Sequence, residues 1–245
     1  MPSNLARYFD RLVNWDRRLA REIPFLTKLI TGKRLLVAGC GTGGHLPALA
    51  AAGFEVVGID NDPEMLASAE RKCAGVANCS VKLFGIEDCA SLGEPFDAVL
   101  VLGNVLPGFY GPNIMEAALV EVHKALAPGG LFFTQNLNYD KRWREKTRSF
   151  PLLSGRDGEA EVILFKFADY GGGAIDFHAN FIVRERPGDA WRLETHTSRQ
   201  RPVFQHDLEN ACRLTGFKRL ERWGSYSGEP FDASTSPDLL LAAWK

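Results

Sequence analysis

Cysteine is scarce in this 245-residue chain and follows no pattern. Cys40, Cys73, Cys79, Cys89 and Cys212 are an odd, scattered set without a Cys-x-x-Cys spacing, which excludes a disulfide framework and leaves free thiols in a reducing compartment. The five histidines lack a His-x-x-x-His spacing, so no metal site is expected. Neither sign of charge dominates: 29 basic against 30 acidic residues leave a net charge of −1, which argues against a nucleic-acid partner held by bulk electrostatics. No run approaches the ~18 apolar residues of a membrane span, so no membrane partner is expected. The N-terminus is polar and lacks an apolar core of signal-peptide length, which points to the cytoplasm. What remains is an ordinary globular composition, 45% hydrophobic and 24% charged, in a chain long enough to bury a large core without staples.

Apolar periodicity orders the chain. Leu5, Phe9, Leu12, Leu19, Ile23, Leu26 and Ile30 recur at helical spacing from about Asn4 to Ile30, with Pro24 expected to split the segment into two helices. Buried strands are expected at 35–38, 55–59, 80–84, 96–102 and 131–135, with helices over 44–52, from Pro63 behind an Asp62 N-cap, and over 114–126. Strand and helix in alternation mean a parallel sheet covered on both faces. After Asn136 the pattern changes to period two, over 159–169, 174–186 and 190–199, with turns at Gly171-Gly172-Gly173 and Pro187-Gly188-Asp189. These are inserted antiparallel strands. A helix over 206–214 and two last strands, 217–223 and 239–244, return to the core.

The most informative stretch is Leu35-Leu36-Val37-Ala38-Gly39-Cys40-Gly41-Thr42-Gly43-Gly44, followed by Gly58-Ile59-Asp60. A buried strand, a glycine loop, a helix, a second strand and then a carboxylate build a nucleoside-binding crevice. The acid accepts hydrogen bonds from ribose hydroxyls, and the glycines let backbone approach the ligand. Gly39-x-Gly41-x-x-Gly44 reads literally as a dinucleotide fingerprint, and Asp60 suits either a nicotinamide dinucleotide or S-adenosylmethionine. Three features favour the second. The loop is unusually dense in glycine. A helix starts straight after Asp60, with the apolar Met65 over an adenine and with two further acids that would repel a pyrophosphate. A Pro-Gly-Gly turn precedes the fifth strand, and the chain closes on a hairpin.

With these motifs the chain resembles the class I S-adenosylmethionine-dependent methyltransferases, strongly over residues 34–136 and in outline over 203–245. The resemblance implies an α/β fold: a Rossmann-like, seven-stranded, mostly parallel sheet with helices on both faces and the last strand antiparallel. It divides the chain into an N-terminal helical lid (1–31), a core (32–136 and 203–245) and an antiparallel β insertion on the substrate side (137–202), all one methyltransferase domain. It implies S-adenosyl-L-methionine as cofactor, contacted by Gly39, Cys40, Gly41, Gly43, Asp60, Asn61, Met65, Asp88, Cys89 and Leu102, with Asn104 beside the transferred methyl. A finer likeness, in Phe96–Asn104, in Pro128-Gly129-Gly130 and in Asn138-Tyr139-Asp140, is to glycine and sarcosine N-methyltransferases, whose helical lid suggests Tyr8, Trp15 and Arg18 near the cofactor. Two positions depart from these patterns. Val37 stands where the family usually has an acid, which shifts weight onto the N-terminal helix. Leu137 stands where those enzymes place the arginine that holds a glycine carboxylate.

The expected activity is methyl transfer to a small molecule, most readily to nitrogen. Asn104 and Tyr139 would orient the acceptor, and His178 or His196 would serve as base for a hydroxyl acceptor. Arg142 or Arg144, in the basic run 141–148, is the candidate for binding an acidic acceptor. A nicotinamide-dependent oxidoreductase and a non-catalytic S-adenosylmethionine-binding protein remain open on the residues alone. The oligomeric state, monomer or homo-oligomer, is open as well.

Overall fold

The computed structural model describes residues 5–245; the expected helix start at Asn4 lies outside them. Two helices come first, α1 (Leu5–Leu12) and α2 (Trp15–Leu29). The alternating core follows: β1 (Arg34–Ala38), α3 (Leu46–Ala51), β2 (Glu55–Asp60), α4 (Pro63–Cys73), β3 (Cys79–Leu83), β4 (Phe96–Val101), α5 (Ile114–Ala125) and β5 (Leu126–Leu137). Short 3-10 turns occupy Ile86–Leu92 and Leu106–Gly108. Next come α6 (Tyr139–Glu145) and four antiparallel strands, β6 (Leu153–Asp157), β7 (Ala160–Gly171), β8 (Ala174–Arg184) and β9 (Arg192–Gln200). The chain closes with α7 (Gln205–Thr215), β10 (Arg219–Trp223) and β11 (Asp238–Trp244).

The main sheet has the order β10-β11-β5-β4-β1-β2-β3. β1 to β5 run parallel, and β11 lies antiparallel between β10 and β5. This is the expected seven-stranded Rossmann-like sheet. Its central strands are covered on both faces, so Leu35, Leu36, Leu100 and Leu241 are fully buried. β6 to β9 form a sheet of their own in the order β6-β7-β8-β9. The order in the main sheet reverses beside β1, so the crevice at the strand tips is where a ligand belongs.

Two local expectations are corrected. Pro24 does not split the N-terminal segment: α2 runs unbroken through it, and the break falls at Val13-Asn14. Asn14 caps α2 by accepting from the Arg17 N–H at 2.9 Å. Pro24 and Ala20 both face solvent, so the Ala20 carbonyl left without a donor can turn to water. β5 also begins earlier than the Pro-Gly-Gly turn. Leu126 already pairs with Phe96, the register slips, and Leu131 pairs with Ala98. A further strand, β6, was not evident in the alternation.

α1 ties the insertion sheet to the core. Tyr8, fully buried, packs on Phe181 with ring centroids 5.3 Å apart, and its hydroxyl donates to Glu194 Oε1 at 2.9 Å. On the other side Asp10 accepts from Thr42 Oγ1, Lys72 Nζ and the Trp15 indole N–H. Burial and the bond to Glu194 push the Tyr8 phenol up to about 12. A folded-state value above the unfolded one, about 10, means that this group's stabilisation is complete below pH 10 and is lost as pH rises toward 12. Tyr8→Phe is therefore expected to lose stability less steeply than the wild type between pH 10 and 12 in urea melts. Parallel profiles for the two proteins would count against this anchoring.

Candidate active site

Two hollows lie along the strand tips. The smaller, about 550 Å³, is lined by Gly39, Asp60 and Asn61 from the tips of β1 and β2, by Phe84, Gly85, Ile86 and Glu87 after β3, and by Val105, Phe109 and Tyr110 after β4. Its apolar walls suit a planar base. Asp60 ends β2 with Oδ2 accepting from the Gly41 N–H at 2.7 Å and Oδ1 from the Asp62 N–H at 3.0 Å. Each oxygen keeps a lone pair, and the side chain lines the hollow. Gly41 adopts φ +56° and leaves open space where a Cβ would stand, so the loop bends back onto Asp60 at no steric cost. The lining holds two carboxylates and no lysine or arginine. That suits a ribose and adenine without phosphates and opposes a pyrophosphate.

The larger cavity, about 930 Å³, lies between the main sheet and the insertion. α2 contributes Arg18 and Glu22; the β4 and β5 tips contribute Gly103, Asn104, Gln135 and Leu137; the start of β11 contributes Asp238. The insertion supplies the opposite wall. Lys166, Ala179 and His196 stand in register across β7, β8 and β9, and all three line the cavity. His196 Nε2 and the Tyr226 hydroxyl are buried without a hydrogen-bond partner, and both residues lie on this cavity. Orphaned buried polar atoms on a cavity wall mark places for ligand groups.

The site residues expected from sequence divide between the hollows and the scaffold behind them. Gly39, Asp60 and Asn61 meet in the smaller hollow, and Arg18, Asn104 and His196 in the larger. Tyr139 is fully buried behind the wall, where its hydroxyl accepts from Asn104 Nδ2 at 2.9 Å and donates to Gln200 Oε1 at 2.9 Å. Asn104, at φ +67°, accepts from the Leu137 N–H at 3.0 Å. The pair therefore holds the β4 tip against β5, and Tyr139 orients Asn104 rather than facing an acceptor.

Others lie away from either hollow. His178 is on the far face of the insertion sheet, because side chains alternate along β8 and its neighbours Phe177 and Ala179 take the cavity face. It stacks on Phe167 at 4.5 Å and meets Thr197 Oγ1 at 2.9 Å. Cys89 and Leu102 are buried in the core, and Asp88 is exposed beside Glu87, which takes the wall position. The Cys40 thiol lies against Gly58, and Met65 stands in the first turn of α4; neither lines a hollow. Gly43 is glycine for packing, since a Cβ would come within 2.7 Å of Ala69. Trp15 braces the loop from outside: its indole fills the space where a Cβ on Gly44 would stand and meets His45 edge-on.

Sequence reasoning missed Glu22, Gln135, Lys166, Tyr226 and Asp238. Burial raises the Asp238 carboxyl above its ordinary value, though Gln135 Nε2 donates to it at 3.1 Å. Burial, with Arg142 nearby, lowers Lys166. Gln135, Lys166 and Asp238 carried one sequence signal, their position near strand ends or inside a period-two run; Glu22, within α2, and Tyr226, in the loop after β10, carried none.

Comparison with known proteins agrees with this geometry. A methyltransferase-domain family matches residues 35–130. The glycine/sarcosine N-methyltransferase of Halorhodospira halochloris is 31% identical over 242 residues, covering 95% of this chain and 84% of the relative. That of Parasynechococcus marenigrum (strain WH8102) is 29% identical over 229 residues, covering 89% and 76%. Among solved structures, the CcbJ methyltransferase from Streptomyces caelestis superposes with a TM-score of 0.73 at 24% identity, covering 94% of this chain and 95% of that one. A structure from Clostridium acetobutylicum ATCC 824, described as an S-adenosylmethionine-dependent methyltransferase, reaches 0.77 at 16% identity, covering 98% and 95%. The structural likenesses carry the fold, the sequence relatives carry the family, and nothing supports an oxidoreductase. The chain belongs to the class I S-adenosylmethionine-dependent methyltransferases.

Proposed function

We propose that this methyltransferase acts on the nitrogen of a small amine that also carries an anionic group. The observation behind this is Lys166. It stands on the cavity wall, where burial lowers its pKa, and among the described residues no carboxylate pairs with it. Its ammonium lies 5.8 Å from the Phe150 ring, and the Arg142 guanidinium lies over the same ring at 5.0 Å. A half-desolvated cation beside a second cation is costly unless an anion joins them. An acidic group on the acceptor supplies that anion. The role that Leu137 cannot fill passes to the insertion sheet.

S-adenosylmethionine, when bound, supplies a methyl made electrophilic by its sulfonium charge. The chain's part is placement. Asn104, fixed by Tyr139 and the Leu137 N–H, sets the β4 tip beside the acceptor, and orientation of this kind can contribute on the order of 7–11 kcal/mol. Asp238, its pKa raised by burial, faces the cavity from the main sheet and can accept a hydrogen bond from the amine. Asp238 lines the cavity from the main sheet and Lys166 from the insertion, so an acceptor with an amine and an acid finds a partner for each group. The two relatives named for glycine and sarcosine methylation fit that chemistry.

Matched amines with and without a carboxylate test the reading, with S-adenosylhomocysteine formation as the readout. The acidic amines are expected to be turned over with kcat/KM at least about tenfold higher, a difference of about 1.4 kcal/mol. Lys166→Met should erase the preference while leaving S-adenosylhomocysteine affinity unchanged. Equal turnover of uncharged amines, or of a neutral amino sugar, would count against the proposal.

A further inference from the structure

α2 carries a buried carboxylate that the proposed transfer does not use. Glu22 is 3% exposed and lines the larger cavity. Its Oε1 accepts from Arg18 Nε at 2.8 Å and its Oε2 from His45 Nε2 at 2.7 Å. Burial opposes its ionisation, but the His45 bond and the Arg18 charge hold it below the ordinary glutamate range. Burial also lowers His45, which therefore serves as a neutral donor. Glu22 and Arg18 remain as the ion pair of this corner, with Arg21 and Asp238 also on the cavity.

Two further observations mark the corner as a ligand site. The Tyr226 hydroxyl is buried and unpartnered on the same cavity, and the charges it feels most are Glu22 and Arg18. Arg18 Nη2 stands 3.6 Å from where a Cβ on Gly103 would be, so the pair reaches the β4 tip. Across the loop, β1 presents Val37, 1% exposed within an apolar cluster, and has no carboxylate to offer.

An ion pair beside an orphaned hydroxyl discriminates by charge pattern. A lone anion would compete with Glu22 for Arg18, and a lone cation would compete with Arg18 for Glu22. A zwitterion laid against the pair opposes both charges and leaves the corner neutral. The amino-acid half of the cofactor is such a zwitterion. We propose that Glu22 accepts a hydrogen bond from the α-ammonium of the cofactor's methionine half, while Arg18 and the Tyr226 hydroxyl donate to its α-carboxylate. α2 thus supplies the acid that β1 lacks, and the lid becomes part of the cofactor site. This rests on the cofactor assignment alone and is independent of the acceptor.

Calorimetry on the full chain with three ligands tests it: S-adenosylhomocysteine, the same molecule without its α-amino group, and 5′-methylthioadenosine, which lacks the amino-acid half. Glu22→Gln should weaken S-adenosylhomocysteine by about tenfold or more and leave 5′-methylthioadenosine within about twofold. Loss of the α-amino group should cost the wild type about tenfold, and Glu22→Gln less than about threefold. Tyr226→Phe removes an orphaned hydroxyl and should fold as well as the wild type; it should weaken S-adenosylhomocysteine about three- to tenfold and leave 5′-methylthioadenosine unchanged. If Glu22→Gln weakens both adenosine ligands equally, Glu22 only braces the loop and the proposal is overturned. The same follows if deamination costs the wild type nothing, or if Tyr226→Phe binds S-adenosylhomocysteine like the wild type. A wild type that binds 5′-methylthioadenosine but not S-adenosylhomocysteine overturns the zwitterion site alone; one that binds neither overturns the cofactor assignment with it.

Discussion

Asp60→Ala is expected to lose S-adenosylhomocysteine binding by at least about 100-fold while the protein stays folded. Charge-assisted hydrogen bonds to two ribose hydroxyls contribute roughly 1.5–3 kcal/mol each, and each 1.4 kcal/mol is a factor of ten. The same carboxylate also receives the Gly41 and Asp62 N–H groups, so its removal loosens the glycine loop as well. Asp60 is only partly buried, so water can replace it as acceptor and the cost to folding stays small. Asp60→Asn keeps one oxygen acceptor and should fall between the two. Calorimetry gives the affinity and a thermal melt gives the fold. A variant that binds within tenfold of the wild type would remove Asp60 from the ribose site.

The largest effect on stability is expected at Phe133. It is fully buried in the middle of β5, in the apolar cluster that joins the main sheet to α2. Phe25 of α2 packs on it with ring centroids 5.9 Å apart, and Tyr226 stands at 6.3 Å. Phe133→Ala removes the ring and leaves a cavity that β5, bonded on both edges by β4 and β11, cannot close. The expected cost is about 3–5 kcal/mol, read as a urea midpoint lower by about 1–2 M. Because the cavity opens beneath α2 and Tyr226, cofactor affinity should weaken in the same variant. A loss under about 1 kcal/mol would mean that α2 does not depend on this cluster.

Both variants act through α2 or the loop beneath it, and α2 forms one wall of the larger cavity. Leu26 of α2 is fully buried in the cluster that holds Val37 and Phe133. Glu22 is tied to His45 behind the glycine loop. A helix anchored in this way stays with the core when the site is empty and brings preset charges to it. Preset charges cost no ordering when the ligand arrives.

Much of this was legible in the chain itself. The strand–glycine loop–strand–Asp60 run determined the crevice and the carboxylate on its wall, because backbone approach and a carboxylate at a strand end are local requirements that spacing alone reveals. Alternation of strand and helix determined the parallel sheet, and the period-two runs determined the insertion. Side-chain placement across the cavity was decided only by tertiary structure. Whether His196 or His178 faces the site depends on a one-residue register in β8 and β9. Whether Tyr139 meets a substrate or braces Asn104 depends on what packs beside β5. Glu22, Lys166, Tyr226 and Asp238 lie far apart along the chain. Their charges acquire meaning only when burial removes water and sets them on facing walls, and no pattern within a single segment records that.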